Sequence, residues 1–455
     1  MDLIIVDMLP YSIVEGDAFK RLNIADPLST HRYKPKSEKY YRTALMPETY
    51  EKVCVKVKTM LQEATWISFT TDAWSNPTKS CSLLSLTAHF IKKNSRYKVI
   101  LSAMVLEKDH DGSYLASKIN EALDKWNIKN KIHIGIRDNA ANLKLAMKIA
   151  NIKDIGCVSH TLQLVIHDAL FTEKCVEFII KKARQIITHF KLTEQASRHL
   201  KEQQSITNSK EHALIQDIET RWNNTYCMLE RLLEQRKSIS MYAVVYGKID
   251  IFSISEWNLI EKVVKLLKPF FNATQEICYD NSCISIVIPL IENIKDLLNI
   301  SLIDNELNLM IDSICNSLNR RFSYINTSEP FLLATLLDPR FKDSYFNKEQ
   351  REMAIQMLRE FLKLSNNPTD INIYESAYNE FNNATTNIVK EDEISQELNA
   401  DLWAIHDKKY ENSSKKNNIF CDIVETPYEK QLQHYLTKNC LPRTKTDIYA
   451  YWNCS

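Results

Sequence analysis

The period of the apolar residues shifts along this chain between two and that of helices, and that pattern limits its fold more than any other feature. Between residues 67 and 136 the period is two. Ile67 and Phe69 lead to Asp72. Leu84, Leu86, Ala88 and Phe90 alternate with Ser85, Thr87 and His89. Val99, Leu101, Ala103 and Val105 repeat the pattern, and Ile132, Ile134 and Ile136 lead to Asp138. Alternation of this kind predicts strands with one buried face. The links Asn76-Pro77-Thr78 and Lys92-Lys93-Asn94-Ser95 are short, so the first three strands are expected to be antiparallel. Between the third and fourth runs, residues 113–126 carry Leu115, Ile119, Ala122, Leu123 and Trp126 on one helical face. A strand, a crossover helix and a strand favour a parallel return. A helix over 139–150 and a short strand over 155–158 complete the order β-β-β-α-β-α-β. If the fourth strand returns beside the first, Asp72 and Asp138 emerge at one sheet edge, where α/β folds place their chemistry. Paired carboxylates there are hard ligands for a divalent metal working on phosphates. The plainer reading is that Asp138 caps the helix starting near Asn139 and Asp72 merely ends a strand.

From His160 onward the period is that of helices. Trp222, Tyr226, Leu229 and Leu233 form one stripe, and Trp257, Ile260, Val264 and Leu267 a second with Pro269 as its stop. Leu290, Ile294, Leu297 and Leu298 form a third, and Leu307, Ile311, Ile314, Leu318 and Phe322 a fourth. The fold class expected is α/β plus all-α, a mixed five-stranded sheet accompanied by a large helical region. The divisions expected are a helical lead-in over 1–60, a sheet core over 61–200 and a helical domain over 201–365. A polar, Asn-rich, loosely packed linker over 366–425 and a final segment over 426–455 follow.

Composition removes several function classes. The net charge is +1, so a nucleic-acid surface must be a local patch rather than a global field. With 5 glycines and neither GxGxxG nor GxxxxGK[ST], no nucleotide cofactor is expected. The 11 cysteines form no CxxC pair, which leaves zinc-finger spacing absent and points to a reducing compartment. No apolar run reaches the length of a membrane span, and no membrane partner is expected.

The chain's motifs, taken in order, resemble the hAT superfamily of DNA transposases and the zinc-finger-BED proteins derived from it. The matching stretches are Leu9-Pro10-Tyr11-Ser12-Ile13-Val14-Glu15, Thr71-Asp72-Ala73-Trp74-Ser75, Arg137-Asp138-Asn139-Ala140-Ala141-Asn142 and Cys157-Val158-Ser159-His160. Glu219-Thr220-Arg221-Trp222-Asn223, Leu336-Leu337-Asp338-Pro339-Arg340-Phe341-Lys342, and Leu432, Tyr435, Leu436 and Trp452 follow. The resemblance implies an RNase H-like core interrupted by a helical insertion. It also implies a nuclear protein that binds DNA, and a homodimer formed through the C-terminal region in full-length relatives. Active members cut DNA with two Mg2+ or Mn2+ ions held by an Asp, Asp, Glu trio. Asp72 and Asp138 match the two aspartates. The family's glutamate lies in a Ser-Glu-Arg-x-Phe-Ser block past the end of this sequence, and its BED finger precedes residue 1. The pair is therefore expected to be vestigial and the chain not to be an enzyme. Glu219 and Glu230 are candidate replacement acids, but nothing in their spacing singles either out.

The resemblance also gives roles to other residues. Arg221 would grip phosphate while Trp222 stacks a displaced base; the alternative is that Trp222 opens the apolar stripe. Cys157 and His160 read as a structural corner, with His160 making a buried hydrogen bond. The clusters at Lys181-Lys182-Ala183-Arg184, Arg231 to Lys237 and Arg320-Arg321 read as phosphate contacts or, more plainly, as solvated helix faces. The function expected is a catalytically inactive, transposase-derived DNA-binding regulator. An active two-metal transposase and a scaffold that binds no DNA are the competing readings.

Overall fold

The alternating segments pair into one five-stranded sheet of order β3-β2-β1-β4-β5. Its strands are β1 (Ile67–Ser75), β2 (Ser82–Lys92), β3 (Ser95–Val105), β4 (Ile132–Arg137) and β5 (Asp154–Gly156). The computed structural model describes residues 1–24, 36–76, 78, 80–92, 95–218, 221–280, 282–301, 305–364, 402–404, 406, 427–441, 443 and 448–454. It divides into two compact units, Met1–Ile155 and Gly156–Ser455. The first unit carries the sheet. Apart from Leu402–Ala404 and His406, the linker expected over 366–425 lies outside the described residues.

In the first unit β1–β2 and β2–β3 are antiparallel and β1–β4 is parallel. This is the strand order of an RNase H-like core. The apolar face carries Ile67, Phe69, Leu84, Leu86, Ala88 and Phe90, none more than 3% exposed. Three helices pack into the same core: α1 (Met46–Glu63), α2 (Gly112–Trp126) and α3 (Ala141–Ile149). The ends of α2 are set by sequence. Asp111 caps its start by accepting a 2.8 Å bond from the Tyr114 N–H, and Asn127 ends it in the left-handed region at φ 53°. Two glycines permit close approach. A Cβ on Gly112 would lie 2.7 Å from Leu145, and one on Gly135 would lie 2.9 Å from the Phe69 ring. At these two places α2 meets α3 and β4 meets β1 with no room for a side chain.

β3 departs from simple alternation. Leu86 pairs with Ser102 but Thr87 pairs with Ile100, so Leu101 is an extra residue at a bulge. A bulge reverses which face the following residues take. Tyr97, Val99 and Leu101 face the core as expected, but beyond the bulge Met104 and Leu106 take over and Ala103 and Val105 turn outward. The opposite face of the sheet is polar. It carries Ser68, Thr70 and Asp72 beside Ser85, Thr87 and His89. His89 bonds Thr70 Oγ1 at 3.2 Å. Burial, with Arg96 and Lys98 adding positive charge, pushes its pKa down to about 4.

The second unit is helical in its described residues. It comprises α4 (Val158–Leu170), α5 (Lys174–Leu192), α6 (Glu194–Ile206), α7 (Trp222–Glu234), α8 (Arg236–Tyr246) and α9 (Ile254–Cys278). It continues with α10 (Val287–Ser301), α11 (Asn308–Phe322), α12 (Glu329–Leu336), α13 (Lys348–Leu364), α14 (Pro427–Thr437) and α15 (Ile448–Cys454). α9 starts with a capping box of Ser253 and Glu256 and runs straight through Pro269. Proline costs one backbone bond there, but Leu266, Leu267, Phe270 and Ala273 are buried around it and hold the helix together. Packing overrides the stop signal.

The segment Leu336–Lys342 ties the C-terminal helices to this unit. Asp338 is 1% exposed; it accepts from Ser285 Oγ at 2.6 Å and from the Arg340 guanidinium at 2.8 and 2.9 Å. Lys342 is buried in the left-handed region at φ 50°. Its ammonium donates to the carbonyls of Tyr435, Lys438 and Asn439 at 2.7, 2.6 and 3.3 Å. These carbonyls lie at and just past the end of α14, where helix carbonyls lack partners and positive charge is favoured. Burial pulls the Lys342 pKa below the usual lysine value.

Lys342→Met is expected to destabilise this unit by about 2–3 kcal/mol, because three carbonyls, that of Tyr435 buried, lose a charged donor. Hydrogen exchange checks it: the amides of α14 should exchange faster while those of α1–α3 do not change. His89 predicts a pH effect. Its folded pKa lies below its unfolded value of about 6.5, so the unfolded chain binds more protons between about 6.5 and about 4 and stability falls as pH drops through that window. Urea midpoints at pH 7 and pH 5 should converge for His89→Gln relative to the parent.

Candidate functional site

Parallel pairing sets the site. Phe69 lies opposite Gly135 and Thr70 opposite Ile136. Carried two residues further, the same register places Asp72 opposite Asp138. Neighbouring strands lie about 4.8 Å apart, and laterally paired residues point to the same face. Asp72 lies three residues before the end of β1 and Asp138 just past the end of β4, so both carboxylates emerge toward the same edge, on the polar face that holds Thr70.

The two acids differ in their surroundings. Asp72 is exposed, and its carboxylate has no partner among the described residues. Asp138 is half-buried, and its Oδ1 accepts the Ala140 N–H at 2.9 Å. Ala140 is itself the N-cap of α3 and makes no side-chain cap bond. Asp138 thus closes a turn just ahead of the helix rather than capping it. Arg137, on the other face of β4, holds the backbone here. Its guanidinium donates to the Asp138 carbonyl at 2.8 Å and pairs with Asp154 of β5 at 2.7 Å. The sequence flagged Arg137 only as part of a motif; its burial beside the acid strand marks it as a positioning residue.

The donor set suits part of a hard-cation shell. Asp72 and the second oxygen of Asp138 would be the ligands, and a bound Mg2+ or Mn2+ would supply Lewis-acid stabilisation of phosphate oxygens. Among the described residues, no three His, Cys, Asp or Glu side chains gather into a group able to hold a metal. Glu230 accepts a 2.7 Å bond from the Tyr226 hydroxyl, and Glu219 lies outside the described residues.

The remaining candidates belong to the second unit. Cys157 is the N-cap of α4, and its carbonyl accepts the Thr161 N–H and hydroxyl at 3.0 and 2.9 Å. His160 is half-buried and makes no hydrogen bond to a described residue, which corrects the buried bond expected for it. Trp222 is 2% exposed in the core of α7 and Arg221 before it is exposed. A ring sealed in that way offers no face to a base, so the stacking role expected of Trp222 gives way to core packing. The exposed tryptophan beside the acids is Trp74, 51% exposed and on the same face as Asp72. The Thr-Asp-Ala-Trp-Ser stretch contained that signal: two residues along a strand return to one face.

The basic clusters are largely neutralised from within. Lys182 is buried against Asp250 and Glu256, and Lys181 pairs with Glu177. Arg184 forks onto the buried Asp217 at 2.7–3.1 Å. Arg231 pairs with Glu234, and Arg236 stacks over Trp257. Arg320 and Arg321 converge on Asp168, whose carboxyl they hold below the usual aspartate value against the opposing effect of burial. Most of these charges are paired within the fold, while Lys237 is exposed.

Comparison with known proteins matches the same regions. The ZBED1 RNase-like domain family matches residues 70–163 and the ZBED1 RNase-like helical domain family residues 155–266. Zinc finger BED domain-containing protein 4 of Homo sapiens is 28% identical over 386 residues, 81% of this chain and 32% of its own. A Talaromyces stipitatus protein named as a transcriptional regulator, tpeD, is 24% identical over 58% of this chain and 36% of its own. A Zea mays protein named for the AC transposase is 25% identical over 60% of this chain and 35% of its own. The chain spans about a third of the length of these curated relatives.

The turn at Asp138 makes a prediction separable from any metal. Asn retains an oxygen that accepts the Ala140 N–H, so Asp138→Asn should stay within about 0.5 kcal/mol of the parent. Asp138→Ala should lose about 1 kcal/mol, the usual cost of deleting such a side-chain acceptor. Urea denaturation of both variants at pH 7 checks the order.

Proposed function

Because this chain belongs to the BED-type proteins derived from hAT transposases, we propose that it acts in the nucleus as a DNA-associated regulator that does not itself cut DNA. One observation carries the reading. Extending the parallel β1–β4 register by two residues sets Asp72 beside Asp138, and no third acid joins them among the described residues. Two-metal chemistry needs each ion steadied on one oxygen of an in-line displacement. Two carboxylates, one already bonded to a backbone N–H, supply fewer hard ligands than that task asks.

The relatives' names support regulation: one is a zinc finger BED protein and one a transcriptional regulator. In this chain the contacts to DNA would come from exposed groups. Arg221 is free of the core and suits a phosphate. Trp74 suits an unpaired base, since stacking on an exposed aromatic ring tolerates any sequence.

The test is a nicking assay on supercoiled DNA with Mg2+ or Mn2+, beside fluorescence anisotropy with labelled duplex and single-stranded DNA. The parent and Asp72→Ala/Asp138→Ala should nick equally little. Trp74→Ala should weaken single-strand binding by roughly 5- to 100-fold, the range for loss of one stacked base. Divalent-dependent nicking abolished in the double variant would establish an active enzyme instead. No DNA binding at any salt would favour a protein scaffold.

A further inference from the structure

Beside the acid pair, α3 carries two exposed lysines on one face. Ala141, Lys144, Leu145 and Lys148 share one face of that helix by their spacing. With Asn151, Lys153 and Asp154 they line an open groove of about 690 Å³ within the first unit. Lys144 and Lys148 are exposed and have no ion-pair partner among the described residues. Asp154, the acid of the groove, is already held by Arg137 at 2.7 Å. Like charges four residues apart weaken a helix, so the arrangement costs stability without repaying it inside the fold.

We propose that this groove is a track for the phosphate backbone of a nucleic acid strand. The placement is what such a track needs. α3 begins three residues after Asp138, and its lysine face leads away from that acid one helical turn at a time. Lys144 and Lys148 are about 6 Å apart along the helix axis. Each DNA strand carries a phosphate every about 3.4 Å of axis, so lysines one turn apart meet phosphates two apart. The apolar floor at Leu145, 48% exposed, receives the sugar edge of the strand. Alternating ion pairs fix the strand without reading its bases. The spacing hid this track from the sequence, because two lysines separated by Leu145, Ala146 and Met147 do not form a run.

This proposal rests on the reading of the chain as DNA-associated, and one experiment separates the two. The full chain, Lys144→Ala/Lys148→Ala, and Lys56→Ala/Lys58→Ala as an equal charge loss on α1 are titrated against labelled DNA from 50 to 300 mM KCl. A labelled polyglutamate peptide is titrated in parallel. The groove variant should lose roughly 10- to 60-fold in affinity near 0.1 M salt, and its log–log salt slope should fall by about 1.5–2. The control should match the parent in affinity, and neither variant should unfold at a lower temperature than the parent, since the substituted lysines are exposed. Parent and groove variant binding DNA with one affinity and slope would overturn the groove while leaving DNA association intact. No DNA binding by the parent would overturn both. Loss of polyglutamate binding with unchanged DNA binding would assign the groove to an acidic protein and overturn the nucleic-acid track.

Discussion

The parallel pairing of β1 with β4 is the contact on which the site depends. It requires β4 to return beside β1 after a crossover helix, and it requires the strands to close tightly at Phe69 and Gly135. A Cβ on Gly135 would sit 2.9 Å from the Phe69 ring. Any side chain there pushes on a buried aromatic in the middle of the core, and cores transmit such strain. Two residues further on, the same register sets the spacing of Asp72 and Asp138. Packing at one glycine and the geometry of two carboxylates are therefore one problem. Arg137 completes the arrangement from the opposite face by tying β4 to β5 and bonding the Asp138 carbonyl.

The second unit stores its charge differently. Asp217, Asp338 and Lys342 are buried, and each is engaged by a group remote in sequence: Arg184, Ser285 and the Tyr435 carbonyl. Burying an ion is costly unless its partners are placed well, and removing one partner leaves the other stranded. Such pairs specify which helices meet. Arg184 on α5 fixes the stretch before α7, and Lys342 fixes the end of α14. Charges used in this way are not available to a ligand, which is why the exposed lysines of α3 stand out.

Much of this was legible in the sequence, because period-two alternation has one cheap solution. Residues 67–72, 84–90 and 132–136 form the strands expected of them, and the β-β-β-α-β-α-β order leaves the adjacency of β1 and β4 as a condition that their parallel pairing meets. The failures have physical causes. Alternation cannot reveal a bulge, so it puts Ala103 and Val105 on the face opposite to the one they take. Pro269 is a local stop signal that buried neighbours outweigh. Runs of Lys and Arg at 181–184, 231–237 and 320–321 look like surface, but their partners Asp217, Glu256 and Asp168 are remote in sequence and invisible to it. Trp222 is flanked by an arginine in a way that suggests base stacking, yet burial is set by the whole helix bundle. Trp74, two residues past an acid on an alternating strand, carried a clearer signal.

The adjacency of Asp72 and Asp138 is the claim on which everything functional here depends. A Cys pair tests it most directly, since a disulfide closes only when the Cα atoms lie about 4.4–6.8 Å apart. Asp72→Cys/Asp138→Cys is oxidised mildly and digested, and the peptides are mapped by mass spectrometry. Ser75→Cys/Ser82→Cys serves as the reference, since those hydroxyls lie 2.7 Å apart. The structure predicts a linked 72–138 peptide at a yield comparable to the reference. A reference pair that closes beside a 72–138 pair that stays reduced would contradict the parallel register and the site built on it.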